Sequence, residues 1–380
     1  MNLPICALGF LLAALLVNLD AAVTRSFVQK VQSTDWIGAA LFLCSITSSL
    51  VGLSWGGVQY RWTSLHTLGP IVVGLAGMAC FVGWQLVRAS NALLPVSVFR
   101  RLSAGCAFYC ALANGVLVSD PTPTRPPSDA LTLAQLFSAL YYLPLFYTTV
   151  HGSGPARAGI DVLPALVLVV PGSIVTAVLT SRLGRFRWAI WIGWAVTALG
   201  CGLVLVPGLR TKYAALSAAL AAFGIGSGMV LTSVNVGVQA MSGTEDCAMA
   251  ASMYTFTRSV GMPIGVVVSG TVFQNAMSSR LSHYGLPTSI ARDAEQYAYA
   301  LKARVLDDAE RQLVLDAYSH GFWYVFLAMT IVAVSALFAS LWIKHFDMDQ
   351  ALQSEFTARE RSSQAAMAER YGRERSAVAV

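Results

Sequence analysis

AALSAALAAFGIGSGMVLTSVNVGVQA, residues 214–240, runs for 27 positions without a charged side chain. A helix of that length rises about 40 Å at 1.5 Å per residue, against about 30 Å for the hydrocarbon layer of a bilayer. The stretch reads as a membrane-spanning helix, and the rest of the chain repeats it. Apolar runs at 3–17, 36–54, 67–87, 103–117 with 136–149, 158–180, 188–207, 214–240, 248–273 and 320–343 make nine spans when the broken fourth run counts once. The 380 residues are 56% hydrophobic and 12% charged, with a mean hydropathy of +0.62. Soluble domains carry about a quarter charged residues, so a soluble protein is excluded. The expected fold class is an all-α polytopic membrane protein.

The 25 Lys and Arg outnumber the 19 Asp and Glu, for a net charge of +6. In a membrane protein such an excess marks cytoplasmic loops; the partner it implies is the lipid bilayer, and no nucleic acid. Placing 18–35, 88–102, 181–187 and the tail after 343 in the cytoplasm collects fourteen Lys and Arg on that side and ten on the other, with Arg258 inside a span. Five of the ten fall in the long 274–319 loop, where basic residues carry less weight. The C-terminus is therefore expected in the cytoplasm. Within that loop, IARDAEQYAYALKARVLDDAERQLVLDAY, residues 290–318, has helix formers at near-helical spacing and predicts a short surface helix. The tail at 344–380 has no core-forming run and reads as a solvated end.

The seven cysteines lie in or beside apolar runs without CxxC spacing, and the five histidines are scattered. No metal site, cofactor or nucleophile–base pair is legible, and an enzyme is not expected.

What the spans do carry is polarity at helical spacing. Tyr254, Thr255 and Arg258 fall within an arc of about 100°. A charge inside a span is expensive and usually paired or cavity-facing. This face is a candidate substrate or gating surface; the alternative is that Arg258 snorkels to the cytoplasmic boundary or ties helices together. Glu245 and Asp246, just before the helix, either partner it or simply favour the helix N-terminus. Thr232, Asn235 and Gln239, at i, i+3 and i+7, form a second face that either meets a substrate or hydrogen-bonds a neighbouring helix. Gly261 and Gly265 have the GxxxG spacing of close helix packing, as do Gly224 and Gly228, while Pro263 and the pair Pro171-Gly172 mark candidate kinks or hinges. Asp161, four residues after Arg157, reads as half of an exposed pair at a helix entrance rather than as a proton-coupling carboxylate.

Several strings resemble the fungal fourteen-helix drug:proton antiporters of the major facilitator superfamily. They are NLPI at 2–5, DWIGAALFLCSITSSLVGLSWGGVQYRW at 35–62, LPVSVFR at 94–100, YYLPLFY at 141–147, AGIDVLP at 158–164, GRFRWAIWIGW at 184–194, GIGSGMVLTSVNVGVQA at 224–240 and MYTFTRSVGMPIGVVVSGTVFQN at 253–275. The resemblance is collinear and implies a partial major facilitator fold of about nine transmembrane helices. Residues 1–17 would be the last helix of the N-terminal bundle, 18–102 two additional central helices with their loops, 103–343 a complete C-terminal six-helix bundle, and 344–380 a cytoplasmic tail. NLPI resembles the start of the family's sixth helix, so an N-terminal truncation is expected.

Residues 103–117 and 136–147 are each too short to cross a bilayer, yet joined they read as one membrane helix. Between them VSDPTPTRPPSDALTLAQ, residues 118–135, holds four prolines and three charges and cannot sit in lipid. It reads as a retained intron. By resemblance the function is efflux of small hydrophobic or amphipathic compounds, drugs or metabolites, in exchange for protons, across the plasma membrane. The alternative is a transport-inactive fragment of such a transporter.

Overall fold

The computed structural model describes residues 19–21, 35–87, 102–117, 138–149, 154–206, 213–242, 246–294, 297, 308–344, 346 and 356–358. The expected first span at 3–17, the insertion at 118–135 and Glu245 lie outside the described residues. The elements are β1 (Leu19–Ala21), α1 (Trp36–Trp55), α2 (Leu65–Val87), α3 (Leu102–Leu117), α4 (Ser138–Thr149), α5 (Pro155–Leu183), α6 (Arg187–Leu203), α7 (Tyr213–Met241), α8 (Cys247–His283), α9 (Ser289–Arg292), α10 (Asp308–Leu341) and β2 (Phe356–Ala358). Six of the helices, α1, α2, α5, α7, α8 and α10, are long and apolar enough to cross a membrane; α3, with 16 residues, is apolar but shorter. The protein is an all-α polytopic membrane protein. Among the described residues the strands are one three-residue antiparallel pair that sets Leu19 opposite Ala358.

Two parts are distinguishable. Helices α1 and α2 form an antiparallel hairpin, and α3 to α8 with α10 form a bundle in which α7 packs against α5 on one side and α6 on the other. Glycine sets those distances. A methyl group placed on Gly224 or Gly228 would lie 2.2 Å from the Ala165 or Val169 carbonyl oxygen of α5, so the α5 and α7 backbones touch. The spacing legible in the sequence is thus a packing seam. An aromatic cluster fills the other half of the bundle: Phe322 of α10 meets Phe146 of α4 at 5.4 Å and Phe273 of α8 at 4.9 Å between ring centroids.

The hairpin docks on α8. Phe42 packs against Phe256 with centroids 5.2 Å apart, Thr271 donates to the Leu53 carbonyl at 3.2 Å, and Asn275 donates to the Gly56 carbonyl at 3.1 Å. At the hairpin's opposite end Asp35, only 7% exposed, caps α1 by accepting from the Gly38 amide. It also accepts from Trp84 and Gln85 of α2 at 3.0–3.2 Å. A buried carboxylate needs such donors, and here they clamp the hairpin closed.

Two helices outrun the expected spans. The sequence predicts 248–273 and 320–343, whereas α8 continues to His283 and α10 starts at Asp308. At 37 residues α8 is about 55 Å long, far more than a bilayer requires. Nothing stops the helix before Gly285, whose φ of 70° ends it. The two overhanging ends are tied by Arg280 and Tyr284, which donate to Asp316 at 2.9 and 2.7 Å. That bond to a carboxylate holds the Tyr284 hydroxyl above its ordinary pKa. Of the surface helix expected at 290–318, the described residues include the short α9 and the start of α10.

Candidate functional site

Arg258 sits eleven residues into α8, about 16 Å from its start and so near half the depth of a hydrocarbon layer. It does not reach for the boundary. Its Nε donates to Asn114 Oδ1 on α3 at 3.1 Å, and Asn114 itself lies twelve residues into α3, at matching depth. The two helices meet there at backbone contact. A methyl on Gly115 would lie 2.1 Å from the Arg258 carbonyl oxygen, and one on Gly261 would lie 2.3 Å from the Leu112 oxygen. Asp246 is exposed at the head of α8. Among the described residues the one ion pair is Arg280–Asp316, so Arg258 has no carboxylate partner there.

The residues expected beside Arg258 diverge. Tyr254 is buried, and its hydroxyl donates to the Leu231 carbonyl of α7 at 2.8 Å. Thr255 is exposed and turns its hydroxyl back to the Ala251 carbonyl at 3.1 Å. Thr255 belongs to an exposed stripe with Ser252, Ser259 and Pro263, spaced three and four residues apart along α8. Exposed positions along the middle of α5 include Ile160, Leu163, Val167, Val170, Ile174, Val175 and Val178, the composition of a lipid-facing surface. Hydroxyls are a poor match for lipid, so the exposed face of α8 is of a different kind from that of α5. Arg258 stands at the edge of that stripe, about 60° around the helix from Thr255.

The second predicted face is partly closed on itself. Gln239 donates to Asn235 Oδ1 at 2.9 Å, and Thr232 donates to the Ser173 carbonyl of α5 at 3.4 Å. Cys247 Sγ lies 3.6 Å from the Gln239 oxygen. All three predicted residues are half-buried. Gly172 is buried where a methyl would meet the Ile225 carbonyl oxygen at 2.8 Å. Gly265 is buried, whereas Pro171 and Pro263 are exposed, and α5 and α8 run unbroken through their prolines.

Two further residues emerge from the packing. Asn114 is the one amide in an otherwise apolar run, a signal present in the sequence. Asp161 is the other. Arg157 is exposed and makes no ion pair with it, contrary to expectation. Instead Asp161 Oδ2 is buried six residues into α5 with no hydrogen-bond partner among the described residues, within electrostatic reach of Tyr147 on α4. Tyr213 at the start of α7 acts on the same phenol.

A bundle of apolar helices, with a polar exposed stripe and a cation within a span, defines a polytopic membrane protein. Its relatives are fungal MFS-type transporters. Over 95% of its length it is 32% identical to MFS transporter L2 of a Phoma species, covering 58% of that protein. It is 27% identical to MFS-type transporter pydD of an Acremonium species, with 87% of this chain and 56% of that protein covered. To the MFS-type efflux pump LUC4 of a Fusarium species it is 25% identical, with 96% and 64% covered. The chain thus spans little more than half the length of the first two. No family model matches it.

Proposed function

We propose that this chain is part of a major facilitator efflux transporter that moves small hydrophobic or amphipathic compounds out across the plasma membrane in exchange for protons. The observation that carries the reading is the exposed Ser252–Thr255–Ser259 stripe with Arg258 beside it at mid-depth. Transporters of this kind place the substrate near the bilayer midplane, between bundles that rock against each other, and a polar stripe at that depth suits such a surface. Thr232, Asn235, Gln239, Tyr254 and Thr255 are its candidate lining. Gly261, Gly265 and Pro263 on α8, with Pro171-Gly172 on α5, are its candidate packing and hinge points. The kinship to transporters, one of them an efflux pump, points the same way.

Proton exchange is supported by Asp161. One oxygen of its carboxylate is buried within a span without a hydrogen-bond partner among the described residues, and an ionisable side chain so placed is a candidate for proton transfer. The test is efflux of a fluorescent amphipathic dye from cells that express the gene in an efflux-deficient host, with and without an imposed pH gradient. Gene-dependent efflux that rises with the gradient is expected, together with at least a tenfold loss of the gradient effect in Asp161→Asn. Dye accumulation indifferent to the gene would overturn the transport reading, and a gradient effect intact in Asp161→Asn would remove Asp161 from it.

A further inference from the structure

We infer that Arg258 and Asn114 form an anion-binding subsite, and that the compounds handled carry an acidic group, a carboxylate or its equivalent. The inference rests on the transport reading and names the chemistry of its substrate.

A guanidinium is always charged and offers five N–H donors. At Arg258 one of these, Nε–H, goes to the neutral Asn114 oxygen. Among the described residues no Asp or Glu oxygen lies within 4.0 Å of the side chain. The described acids are engaged or placed elsewhere. Asp35 is held by Gly38, Trp84 and Gln85, Asp316 by Arg280 and Tyr284, Asp161 lies in α5 beside Tyr147, Asp246 is exposed at the head of α8, and Asp293 and Glu310 lie past the far end of α8, at the end of α9 and the start of α10. A cation at this depth is unfavourable without a counter-charge, and the described residues supply none within 4.0 Å. Asn114 takes the guanidinium by its Nε edge, the two backbones cross in contact at Gly115 and Gly261, and the side chain stays half-buried beside the exposed Ser252–Thr255–Ser259 stripe. That is how a bidentate carboxylate receptor is arranged: one edge anchored, the other presented.

The experiment uses the purified chain in nanodiscs and two isosteric probes, 2-naphthoate and neutral 2-naphthamide, titrated by intrinsic tryptophan fluorescence. Naphthoate is expected to bind at least tenfold more tightly than the amide. Arg258→Gln should bring the two affinities within about twofold of each other, and Arg258→Lys should retain part of the preference. Asn114→Asp supplies a counter-charge at the guanidinium; it should abolish the naphthoate preference while raising the thermal unfolding midpoint. That variant guards against loss of the fold as an explanation. Absence of naphthoate binding, equal binding of both probes, or a preference that survives Arg258→Gln or Asn114→Asp would overturn the inference. Because these are equilibrium affinities, failure here leaves gene-dependent dye efflux intact, so the two readings fail separately.

Discussion

Asn275 of α8 donates one hydrogen bond to the Gly56 carbonyl at 3.1 Å and another to its own helix at Thr271, 2.8 Å away. One side chain therefore ties the tip of the α1–α2 hairpin to the main bundle. The loop is shaped to receive it: Gly57 has φ of 75°, and a methyl there would sit 1.9 Å from the Asn275 oxygen. Gly57→Ala should destabilise the protein by about 1–2 kcal/mol from the backbone alone, and more from displacing Asn275. Asn275→Ala should cost about 0.6–1.7 kcal/mol, the range for hydrogen bonds between membrane helices. Thermal unfolding in detergent reads both, and protease sensitivity of residues 57–64 should rise in each.

The α3–α8 crossing leaves no room for a side chain. Gly261→Ala brings a methyl within 2.3 Å of the Leu112 carbonyl oxygen, and overpacking of this kind costs about 1–3 kcal/mol. Gly261→Leu should prevent recovery of folded protein altogether. Yield after size-exclusion chromatography and the unfolding midpoint check the pair, with Gly159→Ala, which meets open space, as the neutral control.

Membrane orientation is open to direct labelling. In a background without the seven native cysteines, a cysteine at Ser289 should react with an impermeant maleimide on intact cells, and one at Ser363 should react only after permeabilisation. The basic residues of 88–102, 181–187 and the tail support that assignment. The β1–β2 pair supports it as well, because it joins 19–21 to 356–358 and so puts both segments on one side.

The transcript should lack the 54 nucleotides that encode 118–135 in most mature molecules. Codon chemistry favours this. Val118-Ser119 is what GTRAGT encodes, the consensus start of an intron; Leu131-Thr132 admits CTGAC, a branch-site sequence; and Gln135 admits a terminal CAG. Reads spanning the junction of codons 117 and 136 would establish removal, and majority reads containing the stretch would refute it.

How much was legible depends on the length scale of the interaction. Helix positions came directly from runs of apolar residues, because a bilayer imposes a length of about 20 residues on anything that crosses it. The α7 glycines were legible as a packing seam for a similar reason, since only glycine at that spacing lets backbones touch. The overhanging ends of α8 and α10 were not legible. Polar residues at 274–283 look like loop, and those at 308–318 like part of a separate surface helix, until Arg280, Tyr284 and Asp316 are found paired across two helices.

The candidate site divides along the same line. Helical periodicity alone places Tyr254, Thr255 and Arg258 on one arc, and that much is arithmetic on sequence positions. Which part of the arc is buried depends on which helices lie on either side: Tyr254 turned to α7, Thr255 to the exposed face, and Arg258 to Asn114, 144 positions away. Asp161 shows the converse. Its neighbour at i−4 suggested a local pair, but the placement of α4 and α7 buried one carboxylate oxygen and left Arg157 outside. Membership in a membrane and the faces of each helix are properties of the chain's own pattern, because solvent and helical pitch act on every residue locally. The partner of a buried charge is settled only when distant helices close on it, because the interaction spans a few ångströms in space and more than a hundred residues in sequence.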